Sequence, residues 1–117
     1  MTKFTWNESQ PIYRQLIDLI VVRILDRTYP EGELLPSVRQ LATDHQVNPL
    51  TAAKAVAELA KDELTEKKRG IGFVVREGVR EMLLKRERAR FLREEWPAIQ
   101  ARLRLLGLDA RDLVEDE

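Results

Sequence analysis

The side chains best equipped for chemistry in this chain are cationic, and they fall at three places. Arg39 carries a planar guanidinium fork that can hold a phosphate, or the edge of a guanine, through two parallel hydrogen bonds. Thr51 offers a hydroxyl to a phosphate and a methyl to thymine, and Lys54, one turn along, suits a phosphate better than a base edge. Lys67-Lys68-Arg69 is the one contiguous basic triplet, and Gly70 follows it. A flexible positive tip of that kind suits a narrow groove. Each group also has a plainer reading: Arg39 in a surface ion pair with Asp44 or Glu33, Thr51 as a helix-start residue, Lys54 and the triplet simply solvated.

Little else points to chemistry. There is no cysteine, so disulfides and thiolate metal sites are excluded, and His45 is the single histidine, which excludes a multi-histidine metal site within one subunit. No carboxylates cluster in a loop, so no catalytic residue, metal or cofactor is expected. The 117 residues suffice for one compact domain and a small appendage, and 44% hydrophobic with 34% charged residues can build a core and stay soluble. Twenty basic residues balance twenty acidic ones, so no global field draws an anionic partner, and any such partner is held by local placement. The longest apolar run, Leu19-Ile20-Val21-Val22, is far below the ~20 residues that span a bilayer. The start, MTKFTWNESQPIY, has no apolar stretch of a secretory leader. The expectation is a soluble cytoplasmic protein with no membrane partner.

The elements that would position these groups can be read from period and punctuation. Residues 10–28 predict a first helix, with Pro11 in its first turn and Ile12, Leu16, Leu19, Ile20 and Ile24 forming an apolar stripe, joined by Val21 and Leu25. Tyr29-Pro30-Glu31-Gly32 ends it, and a short extended piece follows at residues 33–35. Ser37 caps a second helix at residues 38–45, with Leu41 and Ala42 facing inward. Val47-Asn48-Pro49 makes a turn, with Asn48 able to cap a third helix and Pro49 fitting its first position, and that helix runs to about residue 62. Ala52, Ala53, Ala55, Val56, Leu59 and Ala60 supply its small-residue packing face. Residues 64–68 and 72–76 predict two strands joined through Arg69-Gly70-Ile71. Two short helices around a tight turn, then a hairpin with a basic tip, describe a winged helix-turn-helix, a shape that lays one helix into the DNA major groove.

Beyond Gly78 the period is helical again. Val79, Met82, Leu83, Ala89, Leu92, Trp96, Ile99, Leu103 and Leu106 recur at heptad-like spacing around the charged run at residues 85–90. Pro97 should begin a new helix after a bend, Gly107 should close it, and a last short turn at residues 108–114 leads into an acidic end. Arg80, Lys85, Arg86, Arg88, Arg90 and Arg93 are expected on a solvated face, ion-paired in part with Glu81, Glu87 and Glu94. The fold class is thus mainly α with a small β-hairpin wing: a winged helix-turn-helix over residues 1–76 and a helical tail over residues 77–117.

Four stretches in order, PIYRQLIDLI at 11–20, LLPSVRQLA at 34–42, VNPLTAAKAV at 47–56 and KKRGIGFVV at 67–75, resemble the DNA-binding domain of GntR-type bacterial repressors. The resemblance covers roughly residues 10–76, and the tail resembles the short two-helix dimerisation device of the YtrA subfamily. Larger subfamilies carry a ligand-binding or aminotransferase-like domain for which this chain has no room. The resemblance implies a homodimer on a double-stranded palindromic operator. It gives DNA contacts to Ser37 and Arg39, to Asn48, Pro49, Leu50, Thr51, Ala53 and Lys54 on the recognition helix, and to Lys68, Arg69 and Gly70 on the wing. The apolar tail positions Leu83, Leu92, Trp96, Ile99, Leu103 and Leu106 make the dimer surface, or else pack on the first helix of their own subunit.

The chain departs from that pattern at Leu50, where a polar residue is frequent, and at Ala53, where other branches have arginine. Glu63 stands for a glycine, Thr65 for an aliphatic residue and Ile71 for a basic one. Leu50 is either a thymine-methyl contact or an exposed apolar residue without a role. The subfamily likeness suggests a repressor of a neighbouring ABC transporter operon. The competing reading is a winged-helix protein-interaction module without DNA binding, its Trp96 tail docking a partner. The tail is too short to enclose a pocket of ~300 Å³, so any effector site lies between subunits or domains.

Overall fold

The computed structural model describes residues 10–114, and the structural statements below concern those residues. The expectations for the chain's start and for the end of its acidic tail fall on residues 1–9 and 115–117, outside that range. The first helix, α1, is Ile12–Leu25, shorter at both ends than its apolar stripe predicts. Pro11 is extended (ψ 146°) and precedes the helix instead of entering its first turn. At the far end Arg27 is left-handed (φ 67°) and the Asp26 carboxylate accepts the Thr28 amide at 2.9 Å. Those two features divert the backbone before Thr28 can join the helix. Leu16, Ile20, Val21 and Ile24 are buried, while Ile12 is exposed and leaves the core stripe.

Helix α2, Val38–His45, starts where Ser37 Oγ accepts the Gln40 amide at 3.0 Å. It closes at Gln46, which is left-handed (φ 54°). Helix α3 is Pro49–Lys61, with Asn48 Oδ1 accepting the Leu50 amide at 2.7 Å and Pro49 at a position that needs no N–H. Both α1 and α2 pack on α3. They do so over Ala52, Ala55, Val56 and Leu59, all buried, and the alanines allow a close approach. Ala53, expected on that packing face, is exposed, because it lies about 100° round the helix from Ala52. The end of α3 is a Schellman turn: the Leu64 amide donates to Leu59 O at 2.9 Å and the left-handed residue is Glu63 (φ 63°).

Strands β1, Thr65–Lys68, and β2, Gly72–Val75, pair antiparallel with Thr65 opposite Val75 and Lys68 opposite Gly72. Each is one residue shorter at its outer end than predicted. The extended piece before α2 adds itself to this hairpin: Leu34 bridges Val74, and the Leu35 amide donates to Phe73 O at 2.8 Å. Gly32 makes the entry possible, since its φ is 82° and a Cβ there would lie 2.6 Å from Glu77 Oε1. Thr65 is buried, and its Oγ1 has no hydrogen-bond partner.

Helix α4, Val79–Arg90, begins inside this first unit. The Arg80 amide donates to Glu31 Oε2 at 2.8 Å, and Arg80 Nε donates to Leu25 O at 2.9 Å. Arg80 therefore leaves the solvated face on which the charge pattern puts it, because a turn of α1 and a side chain from the connecting loop each claim one of its N–H groups. A first compact unit extends through Glu81 and a second begins at Met82. In the second unit α4 passes through a π-helical turn, Phe91–Glu95, into α5, Trp96–Leu105. Pro97 has no N–H for the carbonyl four residues back, so the ladder widens there and the backbone stays helical from 79 to 105. Ion pairs follow the predicted pattern in Arg90–Glu94 (3.1 Å), Arg90–Glu87 (3.8 Å) and Arg93–Glu94 (3.7 Å). Being exposed, each contributes little to stability. Gly107 (φ 70°) closes α5, and Asp109 caps a final 3₁₀ turn, Ala110–Leu113.

Candidate nucleic-acid interface

All the candidate contact residues from Ser37 to Gly70 belong to the first unit, and every one is exposed except Thr51, which is half-buried. Ser37 and Asn48 spend a side-chain oxygen on capping, Ser37 at the start of α2 and Asn48 at the start of α3. Each cap fixes the entry of its helix and leaves the next residues at a terminus of partial positive charge. Among the described residues, Arg39, in the first turn of α2, has no ion pair or side-chain hydrogen bond. Asp44, one alternative partner, accepts Gln40 Nε2 at 2.6 Å instead. The Arg39 fork is thus available to an outside anion. On the wing, Lys68 reaches Glu66 at 3.4 Å, Arg69 is exposed at the tip, and Gly70 (φ 76°) makes the turn with the Ile71 amide bonded to Lys68 O at 2.9 Å.

Lys54 has an engagement that its sequence position does not suggest. Its Nζ lies 4.1 Å from the centre of the Tyr13 ring, close enough for a cation–π contact. The Arg14 guanidinium is 5.2 Å from the same ring, and its Nε donates to the Tyr13 hydroxyl at 3.2 Å. Two cations share one ring at the α1–α3 packing, so this positive cluster is built from residues about forty positions apart. No local pattern announces it; only the packing of α1 on α3 does. Partial burial pushes the His45 imidazole below its ordinary value.

In the second unit the apolar positions are mostly uncovered. Leu92 is 59% exposed, Ile99 40% and Leu106 56%, with Leu105 (82%) and Leu113 (56%) beside them in sequence. Trp96 and Leu103 are half-buried, and the Trp96 ring stands 6.4 Å from that of Phe91. Leu83 differs from the rest of the predicted dimer set. It is fully buried within one chain, so it has no surface to offer a partner. Among the described residues no group of histidine, cysteine or carboxylate side chains could hold a metal ion, and no helix is long and apolar enough to cross a membrane.

Comparison with known proteins agrees with this geometry. Residues 12–75 match the gntR family of bacterial regulatory proteins. Over 110 residues the chain is 28% identical to the helix-turn-helix transcriptional regulator YhcF of Bacillus subtilis, covering 94% of this chain and 89% of that protein. It is 38% identical over 78 residues to the transcriptional repressor YtrA of the same organism, covering 67% of this chain and 60% of YtrA. A GntR family transcriptional regulator from Listeria monocytogenes superposes with a TM-score of 0.71 at 34% identity, over 92% of this chain and 93% of that one. Motif order, wing and relatives converge, and the chain belongs to the gntR family of DNA-binding bacterial transcriptional regulators.

Proposed function

We propose that the protein is a repressor that binds a palindromic operator as a homodimer and occludes a promoter. The uncovered apolar side of the second unit carries this reading. Leu92, Ile99, Leu105 and Leu106 leave more large apolar surface in water than a short helical appendage keeps without a partner. A second copy of the chain supplies the matching surface, and two-fold symmetry then repeats the DNA contacts at half-sites about 10 bp apart or a multiple of that. The work is cytoplasmic, where the chromosome is. Likeness to the repressor YtrA supports the direction of control, and a neighbouring ABC transporter operon is the target the subfamily resemblance favours.

The test keeps the chain whole. Leu92→Asp with Ile99→Asp places two charges on exposed positions, so folding of the first unit is spared. Sedimentation should show wild type as a dimer and the double variant as a monomer, with affinity for a palindromic duplex lowered ~100-fold or more as the paired binding is lost. A double variant that remains dimeric would put the interface elsewhere.

A further inference from the structure

The outward side of α3 is poor in hydrogen-bonding groups. Leu50, Ala53 and Ala57 are all exposed, and their spacing of three, four and seven puts them on one face. Leu50 is 79% exposed, more than any other large apolar side chain among the described residues of the first unit. Its backbone is fixed, because Asn48 Oδ1 holds its amide at 2.7 Å. Of the cations on the same face, Lys54 lies over the Tyr13 ring and Lys61 sits at the far end of the helix, away from its leading turn. An apolar side chain on a fixed backbone at the leading turn of this helix has its chemical counterpart in a major groove in the C5-methyl of thymine. Among the described residues Arg39 on α2 and Arg69 on the wing have no ion-pair partners, so the elements flanking α3 complement a phosphate-edged groove better than an apolar protein surface.

We infer that Leu50, with Ala53 behind it, reads thymine methyl groups, so that the helix selects sequence by van der Waals contact while Arg39 and the wing supply charge. This rests on the DNA-binding reading above and assigns that interface its base chemistry. Half-sites then contain thymine at the positions facing the first turn of α3, and the preference is for the methyl rather than for a hydrogen-bonding edge.

The experiment uses the full-length protein and a duplex enriched by it from a random library. That duplex is then synthesised with uracil in place of thymine, which deletes only the methyl and leaves pairing intact. Wild type should lose roughly fourfold in affinity for each contacted methyl, the effect of exposing one methyl-sized group. Leu50→Ala should lose roughly fourfold of that discrimination, the share of one methyl contact, and keep only what Ala53 supplies. Wild type that binds both duplexes alike overturns the inference while leaving DNA binding intact. Leu50→Ala that discriminates as strongly as wild type also overturns it, by placing methyl reading elsewhere. If no duplex is enriched even at low salt, the DNA-binding reading fails and this inference fails with it.

Discussion

At the scale of single residues, burial and pairing separate groups that serve the fold from groups left over for a partner. Arg39 is exposed and unpaired among the described residues, so Arg39→Ala should leave stability unchanged while weakening operator binding by ~1–3 kcal/mol. A gel shift with unaltered affinity would remove it from the interface. Thr65 is the opposite case. It is buried, and its hydroxyl meets no acceptor or donor, so the group has given up water without compensation. Thr65→Val should raise unfolding free energy by about 1 kcal/mol, read as a higher urea midpoint with an unchanged slope. A midpoint that falls would mean the hydroxyl is satisfied in solution. The Arg39 reading was available from residue type and motif. The orphaned hydroxyl was not, because Thr is an ordinary strand residue until its surroundings are known.

Among the elements, the turns decide most of the geometry. Ser37 and Asn48 are visible in the sequence as caps because their oxygens act on amides two or three residues away. The left-handed closures are less visible, since Arg27, Gln46 and Glu63 all adopt positive φ without being glycine. Helix α1 consequently ends three residues before the apolar and polar pattern suggests. Glu63 stands between α3 and β1, where it sets the angle at which the wing leaves the recognition helix. Glu63→Gly relieves the steric cost of the left-handed backbone and gives back part of it as unfolded-chain entropy. The net gain expected is about 0.5–1 kcal/mol, measured by thermal or urea unfolding. A loss of stability would show that the glutamate side chain makes a contact that outweighs the strain.

For the whole molecule, the proposed dimer has a consequence for stability. If the second unit holds two chains together, unfolding is linked to association, and the wild-type thermal midpoint should rise with protein concentration. That of the Leu92→Asp/Ile99→Asp variant should not. Truncation experiments need the correct border. Val79 is buried and Arg80 bonds to Glu31 and Leu25, so a chain cut after Arg76 would lose part of the first unit along with the tail. A cut after Glu81 keeps the whole of the first unit.

Local signals alone determined the order of helices, turn and hairpin, the caps at Ser37 and Asn48, and the basic wing. Each depends on interactions between residues a few positions apart. Tertiary packing alone decided that Lys54 rests on Tyr13, that Arg80 is tied to α1, that Leu83 is buried while Leu92 is not, and that Ala53 faces outward. Those outcomes depend on which surfaces meet across long stretches of chain, and a periodic apolar stripe does not say what covers it.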